Sequence, residues 1–252
     1  MGIYAMTGGA TGIGAAIKEQ LRARGDRVIV VDIKDADIVA DLGTKAGRDA
    51  AVAGILERAP EGLDGFVACA GVGPYLPPPV IASINYFGVV EVTDGLRAAL
   101  ERRRGAVVVI SSNSAPMSTD ATYVDMLLAG DETGAGARVS GQNGQVAYSG
   151  SKMAVARWVR RNAPRWAAAG VRLNAIAPGL IKTPLTASAT ADARFAEAMK
   201  AFEDSIPAGR AGQPADIAAM ACFLLSPAAG FVCGSVIFVD GGHDAMFRPD
   251  QF

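Results

Sequence analysis

Apolar residues fall in short unbroken runs along this chain: Ile3 to Met6, Val28 to Val31, Phe66 to Ala70, Ala106 to Ile110, Val171 to Ala177 and Val236 to Val239. Runs of that length, apolar at nearly every position, predict strands buried on both faces. Between them, helical spacing covers Ala15 to Arg24, closed by Gly25, and then 44–58, 80–101, 147–169 and 213–225. Strands alternating with helices predict a doubly wound α/β fold, a parallel sheet between two helical layers. With no internal repeat or low-complexity linker, residues 1–252 read as a single domain. Pro164 falls inside the predicted 147–169 helix, where it is expected to kink or end it.

Two stretches interrupt the alternation. Residues 113–145 carry five glycines and four acids around an apolar patch of Tyr123, Met126, Leu127 and Leu128. Residues 178–207 carry Leu180, Ile181, Leu185, Phe195, Met199 and Phe202. Connections this long are usually lids, binding loops or helical inserts. Both would leave the carboxyl ends of strands, where open α/β sheets bind ligands. We therefore expect an insert at 113–145 and a substrate lid at 178–207, together offering apolar cover for a steroid or another bulky hydrophobic ketone.

Composition narrows the function. With 24 basic against 25 acidic side chains, the net charge of −1 gives no general pull towards nucleic acid or anionic lipid. The arginines at 157, 160, 161 and 165, interleaved with Trp158 and Trp166, read as helix packing or a subunit contact. The longest uncharged apolar run, Ile217 to Leu225, is about half of a membrane span. No basic leader opens the chain, so a cytoplasmic protein is expected. Three scattered cysteines and one histidine supply neither a disulfide framework nor a metal site. Proton chemistry by a histidine triad is equally disfavoured.

The candidate chemistry lies elsewhere. Gly8, Gly12 and Gly14 follow a strand and open a helix, so the backbone can approach a pyrophosphate and the helix N-terminus can receive it. A plain glycine-rich connection reads the same way. Asp32 ends the second strand, where a carboxylate accepts hydrogen bonds from ribose hydroxyls and repels a 2′-phosphate, favouring NAD over NADP. Tyr148 and Lys152 stand four apart on one helix face. A phenol titrates near 10, and a neighbouring ammonium would lower that value enough for acid–base work on an alcohol or ketone. YxxxK also occurs as an ordinary surface pair. Ser112 follows the fourth apolar run, Ala106 to Ile110, within Ser111-Ser112-Asn113-Ser114, and Asn85 is an amide inside a predicted helix.

Taken together, these residues resemble the short-chain dehydrogenase/reductase family. Its nucleotide turn stands here as Thr7-Gly8 … Gly12-Ile13-Gly14, its YxxxK motif as Tyr148 to Lys152, and its post-strand Pro-Gly as Pro178-Gly179. Ala68-Cys69-Ala70-Gly71 replaces the family's NNAG element. The resemblance implies a Rossmann-like three-layer fold and an NAD(H)-dependent oxidoreductase interconverting a secondary alcohol and a ketone. It implies a catalytic set of Ser112, Tyr148, Lys152 and Asn85, with Asn85 positioning a water. The implied NAD site comprises Gly8, Thr11, Gly12, Ile13, Gly14, Asp32, Ala70, Gly71, Tyr148, Lys152, Pro178, Gly179 and Ile181, with Asp41 and Leu42 at a strand start touching adenine and Thr183 at the nicotinamide end. No metal is implied.

Within the family, the segments Asp32 to Asp37, Cys69 to Pro74, Asn85 to Gly88 and Arg248 to Phe252 resemble bacterial members acting on hydroxysteroids and other carbonyl compounds. A 3-oxoacyl-thioester reductase and a non-catalytic NAD-binding regulator are the alternatives. Because the insert would lie beside the Tyr148 helix, whose outer face many family members use for tetramer packing, a homodimer is expected.

Overall fold

The computed structural model describes the chain except residues 118, 187–192 and 252, and gives the backbone alone for 193–196, 198 and 199. Seven parallel strands form one sheet: β1 (Ile3–Thr7), β2 (Arg27–Asp32), β3 (Ile38–Val39), β4 (Gly65–Ala68), β5 (Ala106–Ile110), β6 (Arg172–Pro178) and β7 (Val236–Val239). Their order is β3-β2-β1-β4-β5-β6-β7. Successive residues of each strand serve opposite faces. Ile29 and Val31 join one apolar cluster with Phe66, Val107 and Val109, while Val28 and Val30 join the other with Val67 and Val108. The first cluster is covered by α2 (Lys45–Arg58), α4 (Gly88–Gly95), α5 (Arg97–Arg103) and α8 (Gly144–Ala168). The second is covered by α1 (Gly12–Ala23) and α10 (Pro214–Leu225). The three expected layers are present.

Element boundaries differ from expectation in instructive ways. Helix α1 begins at Gly12 rather than Ala15, so Gly12 and Gly14 lie in the first helical turn; Gly25 follows with φ +82° and donates its N–H to the Arg22 carbonyl at 2.9 Å. Strand β4 stops at Ala68, because the Ala70 N–H leaves the ladder for Thr7 Oγ1 at 3.2 Å. The two-residue β3 was too short to show a pattern. Asp41 and Leu42 lie after it, in the turn before α2, not at a strand start.

The helix expected over 80–101 is four pieces: α3 (Pro78–Ala82), a π-helical turn (Ser83–Phe87), α4 and α5. The π turn inserts one extra residue, with Gly88 donating to the Ser83 carbonyl. Helix α8 runs through Pro164 to Ala168 without ending there. Proline deprives only the Arg160 carbonyl of its helical partner, and both residues are exposed, so water can satisfy that oxygen.

The interval 113–145 holds α6 (Ala121–Ala129) and α7 (Glu132–Val139), each opened by an aspartate cap: Asp120 accepts from Tyr123 N–H and Asp131 from Gly134 N–H. Its apolar patch does not face a ligand cleft. Tyr123 and Leu127 are buried in the core cluster, and the Tyr123 hydroxyl donates to the Ala147 carbonyl of α8 at 3.3 Å. Beyond β6, α9 (Ala193–Asp204) crosses the expected lid. The side chains of Phe195 and Met199 and all of residues 187–192 lie outside the described residues. A final helix, α11 (His243–Phe247), carries the single histidine, buried between the Phe202 and Phe247 rings and hydrogen-bonded with Ser205 Oγ at 3.1 Å. That environment is structural.

Candidate active site

Because all strands run the same way, their carboxyl ends share one edge of the sheet, and a cleft of about 340 Å³ opens there. It is lined by the turns after β1, β2, β4, β5 and β6 and by one face of α8. Every residue the sequence proposed for the site lines this cleft except Asn85.

At one end lies the glycine turn. Gly8 and Gly12 hold φ of +74° and +56°, conformations that L side chains rarely adopt. A Cβ at Gly8 would stand 2.6 Å from the Ala70 backbone, and one at Gly14 only 1.8 Å from the Gly8 carbonyl oxygen. The turn is therefore compressed against both the β4 loop and itself, leaving room in front. No side chain caps the N-terminus of α1 and no acid sits in its first turn, so its N–H groups face the cleft available for an anion. Asp32 ends β2 beside it. One carboxylate oxygen accepts from Ala10 N–H at 2.9 Å and the other from Ile33 N–H at 2.8 Å. Each oxygen keeps a lone pair for a further donor. These features fit a dinucleotide with a free ribose diol: a backbone cradle and helix N-terminus for phosphate, and a fixed acceptor for hydroxyls.

At the other end, Tyr148, Lys152 and Ser112 converge. The Ser112 Oγ accepts from the Ser114 N–H at 3.1 Å and the Ser114 hydroxyl at 3.0 Å. Both its lone pairs are thereby occupied, so its own O–H is left to donate. Burial pushes the Tyr148 phenol above its ordinary pKa, and the neighbouring Ser112 hydroxyl pulls it part of the way back. The expected lowering by Lys152 is not realised in the protein alone. The Lys152 Nζ donates to the Ile110 carbonyl at 2.9 Å and lies 5.9 Å from the Tyr148 ring centre. Burial brings the lysine itself down to about 8, while the same burial sends its neighbour Cys69 up to about 12. The Ser111 hydroxyl donates to the Lys152 carbonyl at 2.9 Å, pinning α8 to the end of β5.

Asn85 is buried and does not line the cleft, but its side chain clamps the loop that does: Oδ1 accepts from Val72 N–H at 2.8 Å and Nδ2 donates to the Val72 carbonyl at 2.9 Å. The amide shapes the β4 loop, where Val72 lines the cleft, and keeps one N–H and one lone pair beyond this clamp. Sequence reasoning missed Ser111 and Ser114, two of a serine cluster among which the chain gave no means to choose. It also missed the apolar wall of Val72, Ile84 and Pro184, which the fold brings together with Leu185 of the expected lid. Among the described residues no group of histidine, cysteine and acids could hold a metal, and all three cysteines are unpaired.

Comparison with known proteins gives a consistent picture. A family model described as short chain dehydrogenase matches residues 3–124, and one described as enoyl-(acyl carrier protein) reductase matches residues 133–244. The 3-alpha-hydroxysteroid dehydrogenase/carbonyl reductase of Comamonas testosteroni is 42% identical over 259 residues, covering all of both chains. The cis-4-hydroxycyclohexanecarboxylate dehydrogenase of Sinomonas cyclohexanicum is 33% identical and covers 97% of each. The crystal structure of the 3-alpha-hydroxysteroid dehydrogenase from Pseudomonas sp. B-0831, complexed with NADH, superposes with a TM-score of 0.94 at 44% identity, covering 99% of this chain and 100% of that one.

Proposed function

The chain belongs to the short-chain dehydrogenase/reductase family, and from that premise we propose that it is an NAD(H)-dependent 3α-hydroxysteroid dehydrogenase/carbonyl reductase, interconverting a secondary alcohol and a ketone. The observation that carries this reading is the convergence of the Tyr148 phenol and the Ser112 hydroxyl on the cleft, with both Ser112 lone pairs engaged so that its proton is left to reach a substrate oxygen. Bound NAD(H) supplies the hydride acceptor or donor. Tyr148 gives the proton to the carbonyl oxygen in reduction and takes it from the alcohol in oxidation, with Ser112 donating to that same oxygen. Lys152, from a buried position behind Tyr148, offers its ammonium to a ribose hydroxyl. Gly8, Thr11, Gly12, Ile13 and Gly14 hold the pyrophosphate, and Asp32 the adenosine ribose. Asp41, Leu42, Ala70 and Gly71 flank the nucleoside, while Pro178, Gly179, Ile181 and Thr183 border the nicotinamide.

Tyr148, whose pKa burial raises, would give up its proton more readily beside the positive ring of a bound NAD+. The Asp32 carboxylate supports NAD over NADP, because a 2′-phosphate would meet a negative charge there. Val72, Pro184, Leu185 and the 57% exposed Tyr75 supply apolar surface at the open end, which suits a bulky hydrophobic ketone or alcohol. We place the protein in the cytoplasm as a homodimer. The insert helices α6 and α7 cover part of α8 and α3, altering the face that a tetramer would use.

The test is a panel of steroids, aromatic ketones and acyl thioesters, followed by NADH and NADPH absorbance. Turnover of hydroxysteroids or aromatic ketones with NADH supports the reading. Turnover confined to acyl thioesters makes the protein a 3-oxoacyl reductase, and NADH binding without any turnover makes it a sensor.

A further inference from the structure

The insert raises a question that this function leaves open, since its apolar residues turn away from the cleft. Its polar contact points the other way. Arg48 of α2 is 2% exposed, and its guanidinium binds Glu132, the first residue of α7, through both oxygens at 3.1 and 2.6 Å. Its Nε donates to Glu91 of α4 at 2.9 Å. Its Nη1 also donates to the main-chain carbonyl of Leu42 at 3.3 Å. Glu132 lies in the stretch 125–132 that neither family model covers.

Leu42 is the link to the site. Together with Asp41 it walls the cleft at the Asp32 end. From behind, its Cβ is pressed by Gly88, where an added Cβ would stand only 3.1 Å away. A buried fork with both carboxylates engaged is geometrically fixed. The carbonyl it holds is fixed with it.

We infer that Glu132 of the insert, acting through Arg48, is a positioning residue for the dinucleotide: it sets the Asp41–Leu42 wall and thereby the cofactor affinity, without touching the reacting atoms. The inference rests on the reading of the cleft as an NAD site. It gives the insert a role in the monomer that is separate from subunit packing.

The test uses the full-length protein and NADH itself, with affinity read from fluorescence titration beside steady-state kinetics. In Glu132→Ala and Arg48→Met, NADH should bind about tenfold more weakly and its KM should rise in parallel. kcat at saturating NADH should stay within about twofold of wild type, because a lost positioning contact affects binding and not the chemical step. The double variant should be no weaker than the worse single, since both remove one linkage. Gly88→Ala leaves the charges intact and displaces Leu42 from the opposite side, so it should show the same split even where Arg48→Met fails to fold.

Variants that bind NADH like wild type, with only a lower melting temperature, overturn the inference and leave the cluster purely structural. A fall in kcat at unchanged NADH affinity overturns it too. Absence of NADH binding by the wild type would instead bring down the reading of the cleft, and the inference with it.

Discussion

Tyr148 and Lys152 show how burial and partnership compete within a few ångströms. Without cofactor, burial dominates both: the phenol is raised and the ammonium lowered to about 8, so each leans towards its neutral form. Replacing Tyr148 by Phe removes only the hydroxyl and should lower kcat by about 10²–10⁴ while NADH binding is kept; near-normal turnover would exclude Tyr148 as the proton carrier. The lysine leaves a signature in stability. An unfolded lysine holds its proton to about 10.5, whereas the folded one releases it near 8. Between those values the unfolded chain binds more protons, so folding becomes more favourable as pH rises from 8 to 10.5, and the cost of burying the charge is fully present below 8. Lys152→Met escapes that cost. Its stability relative to wild type, measured by denaturant titration, should therefore be greater at pH 7 than at pH 10.

At the scale of elements, Gly150 explains why the insert can lie where it does. It sits inside α8 between the two site residues, where an added Cβ would be 2.6 Å from the Tyr123 ring of α6 and 2.7 Å from Thr119 Oγ1. Alanine would favour the helix by about 1 kcal/mol, but overpacking against a fully buried tyrosine costs about 1–3 kcal/mol. Gly150→Ala should therefore lower the melting temperature by a few degrees, and adding Tyr123→Leu should restore it. That lock was invisible in the chain, because the apolar patch at Tyr123 and Leu127 announces burial without naming what buries it. Strands and the main helices were legible, since fully apolar runs and helical periodicity are local signals. The glycine turn, Asp32 and the Tyr148–Lys152 pair were legible for the same reason: each is a fixed short spacing. The π turn, the two-residue β3 and the Asn85 clamp on Val72 were not, because they depend on hydrogen bonds between segments the spacing does not connect.

For the whole molecule, the insert and the β7 edge of the sheet bear on assembly. No helix of the described residues is long and apolar enough to cross a membrane. Exposed apolar side chains flank β7 along the chain: Phe231 before it is fully exposed, and Met246 and Phe247 after it are each more than 40% exposed. An unpaired edge bordered by such residues is a ready contact for another chain. Size-exclusion chromatography with light scattering should give twice the 25.8 kDa chain mass, and Phe231→Asp should shift it towards one; a species of four chains would contradict the dimer. The strand order has a further consequence for how this sheet can be made. As the chain leaves the ribosome, β2 and β3 extend one side of β1, and β4, β5, β6 and β7 then extend the other in turn. Every strand is added to an open edge, and none must be threaded between two already in place. The glycine turn is complete early, the helix of Tyr148 and Lys152 arrives later, and β7 joins last, opposite the edge that β3 has held since the start.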